Sequence, residues 1–577
     1  MNDESHFGDL DSVEFIADEV PPTRRRLLQV LAGLGIGSVV FQRALAAAAD
    51  KATAITPEMI QQAEWIAGLE LSEEDRQTLA GRLNRQQRRF ETMRVVKIAN
   101  DVPPALSFHS APWLPPSAKP VRRRAEPIAQ AAPRKPDTAE ELAFLPVTAL
   151  AALVRARQVS SVELTKLYLE RLRKYDPVLR CVVNYTEDLA LEQAKHADRE
   201  ISAGRYRGPL HGIPWGAKDL IAYPGYKTTW GASPFKEQVI DTKATVARHL
   251  EEAGAVLVAK LTLGALAMGD RWFGGMTRNP WDPKRGSSGS SAGPGAATAA
   301  GLVGFSIGSE TLGSIVSPSS VCGVTGLRPT FGRVSRHGCM TLSWSMDKLG
   351  PMCRSVEDCA LVFAAIHGFD GFDPSTVDRP FAWPPRRDLR TLKVGYIGEE
   401  GPINARPELR VLRDLGVRLT PIKLPAKHPL DSLHLILDTE AAAVFDELTR
   451  QGVTEGLNAW PAIFRQGQFV PAVEYLRANR IRTLVMREMA KVMEQVDLYV
   501  GGNDLLLTNL TGHPTVVLPN GFRKSGAVEL PAALTFTGRL YGETDLLAVA
   551  HAYQQATGHH LKRPPMDKLT PENADGK

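Results

Sequence analysis

The chain has 577 residues, of which 43% are hydrophobic and 23% are charged. This balance is typical of a globular protein with ample core-forming material, and it excludes disorder over the whole length. The net charge of +5 argues against a nucleic-acid-binding protein, because much of the basic excess lies in two short runs, RRR at 24–26 and RRR at 122–124.

Residues 1–49 resemble an export signal. Three arginines precede the apolar run LLQVLAGLGIGSVVF at 27–41, and a stretch of small residues follows, with a cleavage site expected near Ala46. The run is shorter than the about 20 residues that span a bilayer, and the pattern resembles a twin-arginine signal, which exports folded proteins. We expect a periplasmic protein with no stable membrane insertion after cleavage; an uncleaved N-terminal anchor is the alternative.

Residues 50–111 predict a small helical accessory region. Thr56 before Pro57 is a helix start, and Ser72 with Asp75 resembles a capping box. These residues carry no recognisable chemistry, so we expect a packing or docking role. Residues 112–139 are rich in Pro and Arg without an apolar period, which predicts a linker or a strap on the surface.

Residues 140–577 predict one large α/β domain with a buried sheet. Ser160 and Glu163 open a helical pattern, after which short apolar runs alternate with helical patterns. Residues of about 400–490 are more helical and are expected to form an insertion or a cap. The expected strands lie at 255–261, 302–307, 392–398, 497–502, 514–521 and 532–538.

The sequence has no pattern of metal ligands. Its five cysteines form no CxxC pair, and no HExxH occurs. We therefore expect neither a metal nor a cofactor.

Two familiar serine patterns are better explained without a nucleophile. Ser306 lies in G-F-S-I-G at 304–308, but a nucleophile elbow places its serine on a turn after the strand, and this serine lies inside an apolar run. Ser233 and Lys236 match S-x-x-K, yet no K-T-G partner occurs. We interpret Ser306 as a core serine and the second match as chance; an esterase that uses Ser306 stays as an alternative.

A third set of segments resembles the amidase signature family. The blocks cover about residues 140–560 in the family's order, which a chance match does not explain. They are GIPWGAKD at 212–219, WFGGMTRNPWD at 272–282, GSSGSSAG at 286–293, CGVTGLRPTFGRVSRHG at 322–338, SMDKLGPMCRSVED at 345–358 and TNLTGHPTVVLPNG at 508–521. The resemblance implies an α/β/α layered fold with a large central mixed sheet.

The resemblance also implies a catalytic Ser-Ser-Lys triad. Its lysine is Lys218, and its nucleophile in the second serine pattern is Ser314. The loop offers two serine pairs, and alignment on the following AAGL at 299–302 selects Ser290 as the bridging serine, after a cis bond from Gly289. Asp219 is implied to be structural.

The chemistry needs a neutral lysine to take a proton from serine, and burial among hydroxyls lowers the pKa of an amine. Backbone N–H groups of Thr311, Leu312 and Gly313 are expected to form an oxyanion hole. Three positions depart from the family pattern: Glu310 replaces Asp, Leu312 replaces Gly and Val316 replaces Arg. We expect an altered substrate pocket, and we interpret the nearby Trp344 and Met346 as core residues before an apolar acyl site.

The sequence thus predicts an exported amidase that hydrolyses a small-molecule carboxylic amide to acid plus ammonia or amine. Two alternatives stay open: an amidotransferase subunit that takes ammonia from glutamine, and a binding protein that keeps the fold without turnover. The oligomeric state, including a homo-oligomer, is left open.

Overall fold

A computed structural model describes residues 54–98, 105–106, 124–128, 133–398, 405–502, 504–526 and 528–569. The predicted export signal at 1–49 and most of the predicted linker at 112–139 lie outside these residues. Two compact units divide the chain, Met1–Gln87 and Arg88–Lys577. In the part of the chain that is described, no helix combines the length and apolar character that crossing a bilayer requires.

The helices are numbered in chain order. The α-helices are α1 Pro57–Ala63, α2 Glu73–Arg94, α3 Ala139–Ala143, α4 Val147–Arg155, α5 Ser161–Leu179, α6 Glu187–Ser202, α7 Thr245–Glu252, α8 Ala292–Ala299, α9 Val316–Cys322, α10 Val356–Ile366, α11 Pro407–Asp414, α12 Leu435–Val444, α13 Asp446–Arg450, α14 Trp460–Gly467, α15 Ala472–Gln495, α16 Leu505–Thr511 and α17 Glu543–Thr557. Short 3-10 helices span Glu64–Ala67, Ser233–Phe235, Ala265–Ala267, Leu389–Thr391, Leu430–His434, His559–Leu561 and Met566–Leu569.

The predicted helix starts are confirmed by their capping hydrogen bonds. The hydroxyl of Thr56 accepts from a backbone N–H of α1 at 3.4 Å, and that of Ser72 accepts from Asp75 N at 3.1 Å. Ser160 caps α5 in the same way, with its hydroxyl 3.0 Å from Glu163 N. Each serine or threonine thereby satisfies an N–H group that has no partner within its own helix.

Eleven strands of the described residues form one mixed sheet, in the spatial order β8-β7-β9-β11-β10-β5-β6-β4-β2-β3-β1. In chain order they are β1 Val182–Tyr185, β2 Pro214–Lys218, β3 Val256–Leu261, β4 Phe305–Glu310, β5 Thr325–Arg328, β6 Lys348–Cys353, β7 Lys393–Ile397, β8 Arg418–Ile422, β9 Leu498–Val500, β10 Thr515–Ser525 and β11 Val528–Gly538. β2 runs parallel to β3 and β4, and β7 runs parallel to β8 and β9, whereas the other neighbours are antiparallel. Short strand pairs outside this sheet are Arg124–Ala125 with Ala382–Trp383, Arg271–Trp272 with Gly275–Met276, and Arg278–Asn279 with Asp282–Gly286.

The centre of the sheet is covered on both faces. Every residue of β3, β4 and β6 is buried, and successive side chains of a strand point to opposite faces. Both faces must therefore pack against other elements, which here are the helices that connect the strands. The α/β layered fold with a large central mixed sheet is confirmed.

Two features differ from the sequence prediction. The strand expected at 302–307 begins at Phe305, because Gly301 has a φ of +62° and the chain turns before the strand starts. The more helical region at 400–490 also supplies β8, an edge strand of the sheet. Its segment RLTPI contains a proline, which an edge strand tolerates because it lacks one of its two pairing neighbours.

One edge of the sheet collects the ends of several strands. Lys218 ends β2, Glu310 ends the parallel strand β4, and the antiparallel β6 begins there, with Lys348 paired to Glu310. The connection from β4 to α9 leaves this edge and carries Ser314. This arrangement places the predicted catalytic groups on neighbouring chain segments.

Candidate active site

Lys218 lies fully buried at the end of β2, surrounded by serine hydroxyls. Its Nζ donates to the Oγ atoms of Ser290 at 2.8 Å, Ser309 at 2.8 Å and Ser291 at 3.0 Å. Burial lowers the pKa of this amine from 10.5 to about 7, although the carboxylates of Asp347 and Glu310 oppose the shift. An amine with such a pKa is substantially neutral near pH 7 and can accept a proton.

Asp219, the next residue, has other partners. Its Oδ1 forms an ion pair with Lys260 Nζ at 2.8 Å, and its Oδ2 accepts from the backbone N and the hydroxyl of Thr229 at 2.8 and 2.5 Å. Both side chains of the ion pair are fully buried. The carboxylate that is adjacent in sequence therefore does not hold Lys218 in its charged form.

The Gly/Ser loop before α8 brings the second serine pair, and not the first, to Lys218. Among the described residues, Lys218 Nζ is bonded to Ser290 and Ser291 but to neither Ser287 nor Ser288. The peptide bond from Gly289 to Ser290 is cis. A side chain at position 289 would overlap the carbonyl oxygen of Gly269, so this close approach of two backbone segments requires glycine.

Ser314 lies on the turn between β4 and α9, beside the serine loop. Its carbonyl oxygen accepts from Ser291 N at 3.1 Å. The preceding Gly313 has a φ of +87°, a conformation that glycine adopts without strain. No hydrogen bond between the hydroxyls of Ser314 and Ser290 occurs among the described residues, and hydrogen bonds of catalytic groups often shorten only when substrate is bound.

The turn presents free backbone donors. In the described part of the chain, the N–H groups of Leu312, Gly313 and Ser314 have no hydrogen-bond acceptor, whereas the N–H groups of the next two residues are occupied. The hydroxyl of Thr311 donates to Asp347 Oδ1 at 2.6 Å. Unoccupied N–H groups beside a serine are the donors that an oxyanion requires.

The carboxylate of Glu310 fixes both ends of this turn. Its Oε2 accepts from the N–H groups of Ile315 and Val316, each at 2.9 Å. Its Oε1 is 2.7 Å from Arg328 Nη1 and 2.8 Å from Asn509 Nδ2. Burial alone raises the pKa of a carboxyl, but the charge and hydrogen bond of Arg328, aided by Lys348, outweigh it and lower the pKa of Glu310 to about 2.

Sequence reasoning missed three residues of this arrangement. Ser291 and Ser309 both bond Lys218, and Ser291 Oγ also donates to Ser309 O and accepts from Ser309 N, at 3.0 and 3.1 Å. The sequence marks Glu310 only as a departure from the family pattern. The available signal was position: Ser291 completes the serine pair, and Ser309 with Glu310 opens the segment that ends at Ser314.

The two other serine patterns lie away from this site. Ser306 is fully buried inside β4, where its hydroxyl bonds Thr298 Oγ1 at 2.8 Å and lies 3.2 Å from the carbonyl oxygen of Pro294. Ser233 begins a 3-10 helix whose following Lys236 is exposed. Neither serine contacts a base in the described residues.

The expectation that both Trp344 and Met346 pack in the core is wrong for one of them. Met346 is fully buried, but 52% of Trp344 is exposed. Trp344 lines a cavity of about 850 Å³, and none of Lys218, Ser290 and Ser314 lines it. Its backbone carbonyl accepts from Arg336 at 2.6 Å, which holds the tryptophan on a loop outside the core.

The site has the groups for nucleophilic chemistry on a carbonyl carbon. It combines a serine on a tight turn, free N–H donors and a buried amine of lowered pKa on bridging hydroxyls. Among the described residues, no group of three or more His, Cys, Asp or Glu side chains could hold a metal ion.

Comparisons with known proteins agree with this class of site. The profile of the family described as Amidase matches residues 163–501. One component of the glutamyl-tRNA(Gln) amidotransferase of Chloroflexus aurantiacus is 36% identical over 485 residues, which cover 74% of this chain and 99% of that protein. The structure of a peptide amidase from Stenotrophomonas maltophilia matches with a TM-score of 0.64 and 30% identity, covering 73% of this chain and 98% of that one. The corresponding amidotransferase component of Thermotoga maritima matches with a TM-score of 0.59 and 26% identity, over 72% and 95% of the two chains.

The class of protein is therefore a hydrolase that acts on carbon–nitrogen bonds. The chain belongs to the amidase signature family, and it is an amidase. The family and the enzyme class predicted from the sequence blocks are both confirmed.

Proposed function

We propose that this protein is a stand-alone, exported amidase that hydrolyses a carboxylic amide to the acid plus ammonia or an amine. Ser314 is the nucleophile, Ser290 the bridging serine and Lys218 the base. The observation that carries the proposal is the buried Lys218 amine, with its pKa of about 7, bonded to Ser290 at 2.8 Å.

In the proposed reaction, Ser314 Oγ attacks the amide carbon as its proton passes to Ser290 and the Ser290 proton passes to Lys218. The negative charge on the carbonyl oxygen is stabilised by N–H groups of the 312–314 turn. Return of the proton through Ser290 to the leaving nitrogen breaks the carbon–nitrogen bond and leaves an acyl ester on Ser314. Water then attacks this ester by the same proton route in reverse, releasing the acid and restoring the serine.

Export is proposed from the sequence alone. The three arginines at 24–26, the short apolar run and the small residues near Ala46 support it. Lys replacements at Arg24, Arg25 and Arg26 should retain the protein in the cytoplasm on cell fractionation, whereas the same replacements in the RRR run at 122–124 should not. An unchanged distribution after the first set would contradict export by this route.

A second candidate is an amidotransferase component, and the 36% identity to a part of a glutamyl-tRNA(Gln) amidotransferase favours it. Such a component would release ammonia from glutamine for use by another protein. A panel of amides that includes glutamine separates the two: turnover of other amides by the isolated chain supports the stand-alone enzyme, and turnover of glutamine alone supports the amidotransferase.

The nucleophile can be tested directly with a serine-phosphonylating reagent followed by peptide mass mapping. We expect one adduct, on Ser314, that disappears in Ser314→Ala and forms far more slowly in Lys218→Met. Ser306→Ala is the matched control, because this buried serine bonds only core groups, and it should label like the unchanged protein. An adduct on Ser306, or no adduct at all, would contradict the assignment.

A further inference from the structure

A cavity of about 850 Å³ lies at the same edge of the sheet as the nucleophile turn. Strand register places it there: Arg328 at the end of β5 pairs with Thr515 at the start of β10, and Lys348 at the start of β6 pairs with Glu310 at the end of β4. Loops that line the cavity follow β5 or precede β6 and β10. They therefore leave the sheet on the side where the chain continues from β4 to Ser314.

A hydrogen-bonded carboxylate connects the wall of this cavity to the nucleophile turn. Asp347 accepts from the Thr311 hydroxyl with Oδ1, and its Oδ2 accepts from the N–H groups of Leu342 and Ser343 at 2.7 and 2.9 Å. The neighbouring residues at 341, 344 and 345 line the cavity. The wall is thus held at a fixed position relative to a residue three places before Ser314.

Exposed apolar side chains concentrate around the cavity. Fifteen large apolar side chains are exposed among the described residues, and six of them line it. The six are Leu106, Trp344, Phe372, Met486, Leu540 and Tyr541. Phe372, which is 58% exposed, stacks on His337 with 4.5 Å between ring centroids. Such a cluster on a protein surface commonly marks a binding site.

The charged groups of the lining already have partners within the protein. Arg336 bonds Asp373 with Nε at 2.8 Å, and Arg482 donates to Leu510 O at 2.6 Å. Glu440 accepts from Ser345 N at 3.0 Å and from the phenol of Tyr475 at 2.8 Å. Because these charges are neutralised or hydrogen-bonded internally, the cavity favours a neutral group over an ionic one.

Helix α16 gives the spacing between cavity and nucleophile. A Cβ on Gly313 would lie 3.3 Å from Leu505 at the start of α16, and Leu510 near its end lines the cavity. Five residues of α-helix separate these two leucines, which corresponds to about 7.5 Å along the axis. A substrate that reaches both places must be elongated.

We propose that this cavity binds a neutral aromatic group of the amide substrate, joined to the scissile carbonyl by a linker of about 7.5 Å. The inference rests on the proposed function and deepens it: the preferred substrates are elongated amides that end in an aromatic group. Trp344 and Phe372 supply the contact surface, and small amides leave the cavity unused.

A series of ω-phenylalkanamides tests this, from phenylacetamide to 7-phenylheptanamide, with hexanamide and 6-aminohexanamide as comparisons. KM should fall by about ten- to hundredfold once the phenyl group reaches the cavity, as expected for burial of an aromatic ring, while kcat changes little. Hexanamide should gain less, and the terminal ammonium of 6-aminohexanamide should gain nothing.

Variants assign the effect to the cavity. Trp344→Ala and Phe372→Ala should flatten the dependence of KM on chain length while keeping the hydrolysis of acetamide. Trp65→Ala, which truncates a tryptophan that is 72% exposed and does not line the cavity, should retain the full dependence. Calorimetry with Ser314→Ala should show binding of 6-phenylhexanamide that Trp344→Ala abolishes.

Two results would overturn the inference while leaving the proposed function intact. The first is hydrolysis of the whole series with a KM that does not depend on chain length. The second is the same dependence in Trp344→Ala as in the unchanged protein. Loss of all hydrolysis together with loss of Ser314 phosphonylation would instead overturn the proposed function and this inference with it.

Discussion

Asp219 forms its ion pair with Lys260, at 2.8 Å, and not with Lys218, its neighbour in the sequence. The geometry of a strand explains the choice, because side chains at successive positions point to opposite faces. Lys260 on β3 reaches Asp219 across the sheet, whereas the amine of Lys218 turns to the serine hydroxyls. The two lysines thus divide two tasks, one neutralising a buried carboxylate and the other staying available as a base.

We expect Lys260→Met to destabilise the protein strongly, because it leaves the carboxylate of Asp219 buried without its counter-ion. Removal of one partner of a buried ion pair costs about 3 to 5 kcal/mol. Urea denaturation would measure the loss. The double variant Lys260→Met with Asp219→Asn, which removes both charges, should recover much of the stability, and a single variant as stable as the unchanged protein would refute this role for the pair.

The pH dependence of hydrolysis follows from the lowered pKa of Lys218. The base must be neutral, and its pKa is about 7, so kcat/KM should rise about tenfold per pH unit below that value and level off above it. Steady-state kinetics from pH 5 to 9, with an amide whose own ionisation is constant, would show the profile. A flat profile over this range would exclude a lysine base.

The same pKa predicts how stability changes with pH. The pKa of Lys218 in the folded protein lies below its ordinary value of 10.5, so the unfolded chain binds more protons between about pH 7 and pH 10.5. The contribution of Lys218 to stability should therefore become less unfavourable as pH rises through this window. Denaturation of the unchanged protein and of Lys218→Met at pH 7 and pH 9 isolates it: the difference in stability should narrow at the higher pH.

Ser309 is expected to tune the base. Ser309→Ala removes one of the hydroxyls that accept a hydrogen bond from Lys218, and loss of an acceptor disfavours the charged amine. The inflection of the pH profile should move to lower pH, and kcat should fall about tenfold with little change in KM, in the range of effects seen for groups that assist proton transfer. Ser306→Ala on the same strand is the control, and an equal shift in that variant would show that the effect is not specific.

Apolar runs and motif blocks were sufficient to predict the sheet and the groups at its edge. The run AVLVAKL became β3 because all of its positions are buried, and the block GIPWGAKD placed Lys218 at the end of β2. The contacts of Ser291 and Ser309 with Lys218 could not be predicted, because they depend on how a loop and a strand far apart in sequence meet. β8 was missed since an edge strand is half exposed and carries a weak apolar signal.

Trp344 shows the same limit at the level of a single side chain. A large apolar residue beside a motif block predicts a core position, but the hydrogen bond from Arg336 to its carbonyl oxygen holds its loop at the surface. Sequence gives the type of a residue and not which of its surfaces are covered. Function at this edge therefore depends on loops whose placement is set by polar contacts between distant segments.

Glu310 provides the sharpest test of how the nucleophile is positioned. Its carboxylate joins the end of β4 to the start of α9, across the turn that carries Ser314, and is held in turn by Arg328 and Asn509. Glu310→Gln keeps the size of the side chain but replaces one acceptor oxygen by a donor, which must face either Arg328 or the N–H groups of α9. Because N–H donors then oppose each other, the turn should loosen.

We expect Glu310→Gln to lower kcat and the rate of Ser314 phosphonylation by about ten- to hundredfold with little change in KM, as for loss of a group that orients an oxyanion site. Removal of this negative charge should also lower the pKa of Lys218, which Glu310 raises, so the pH profile should move to lower pH. A purely structural defect would not move the profile. Glu310→Asp, which retains the charge, should keep the inflection near that of the unchanged protein, and a Glu310→Gln enzyme with unaltered kcat and pH profile would show that Ser314 is positioned by other contacts.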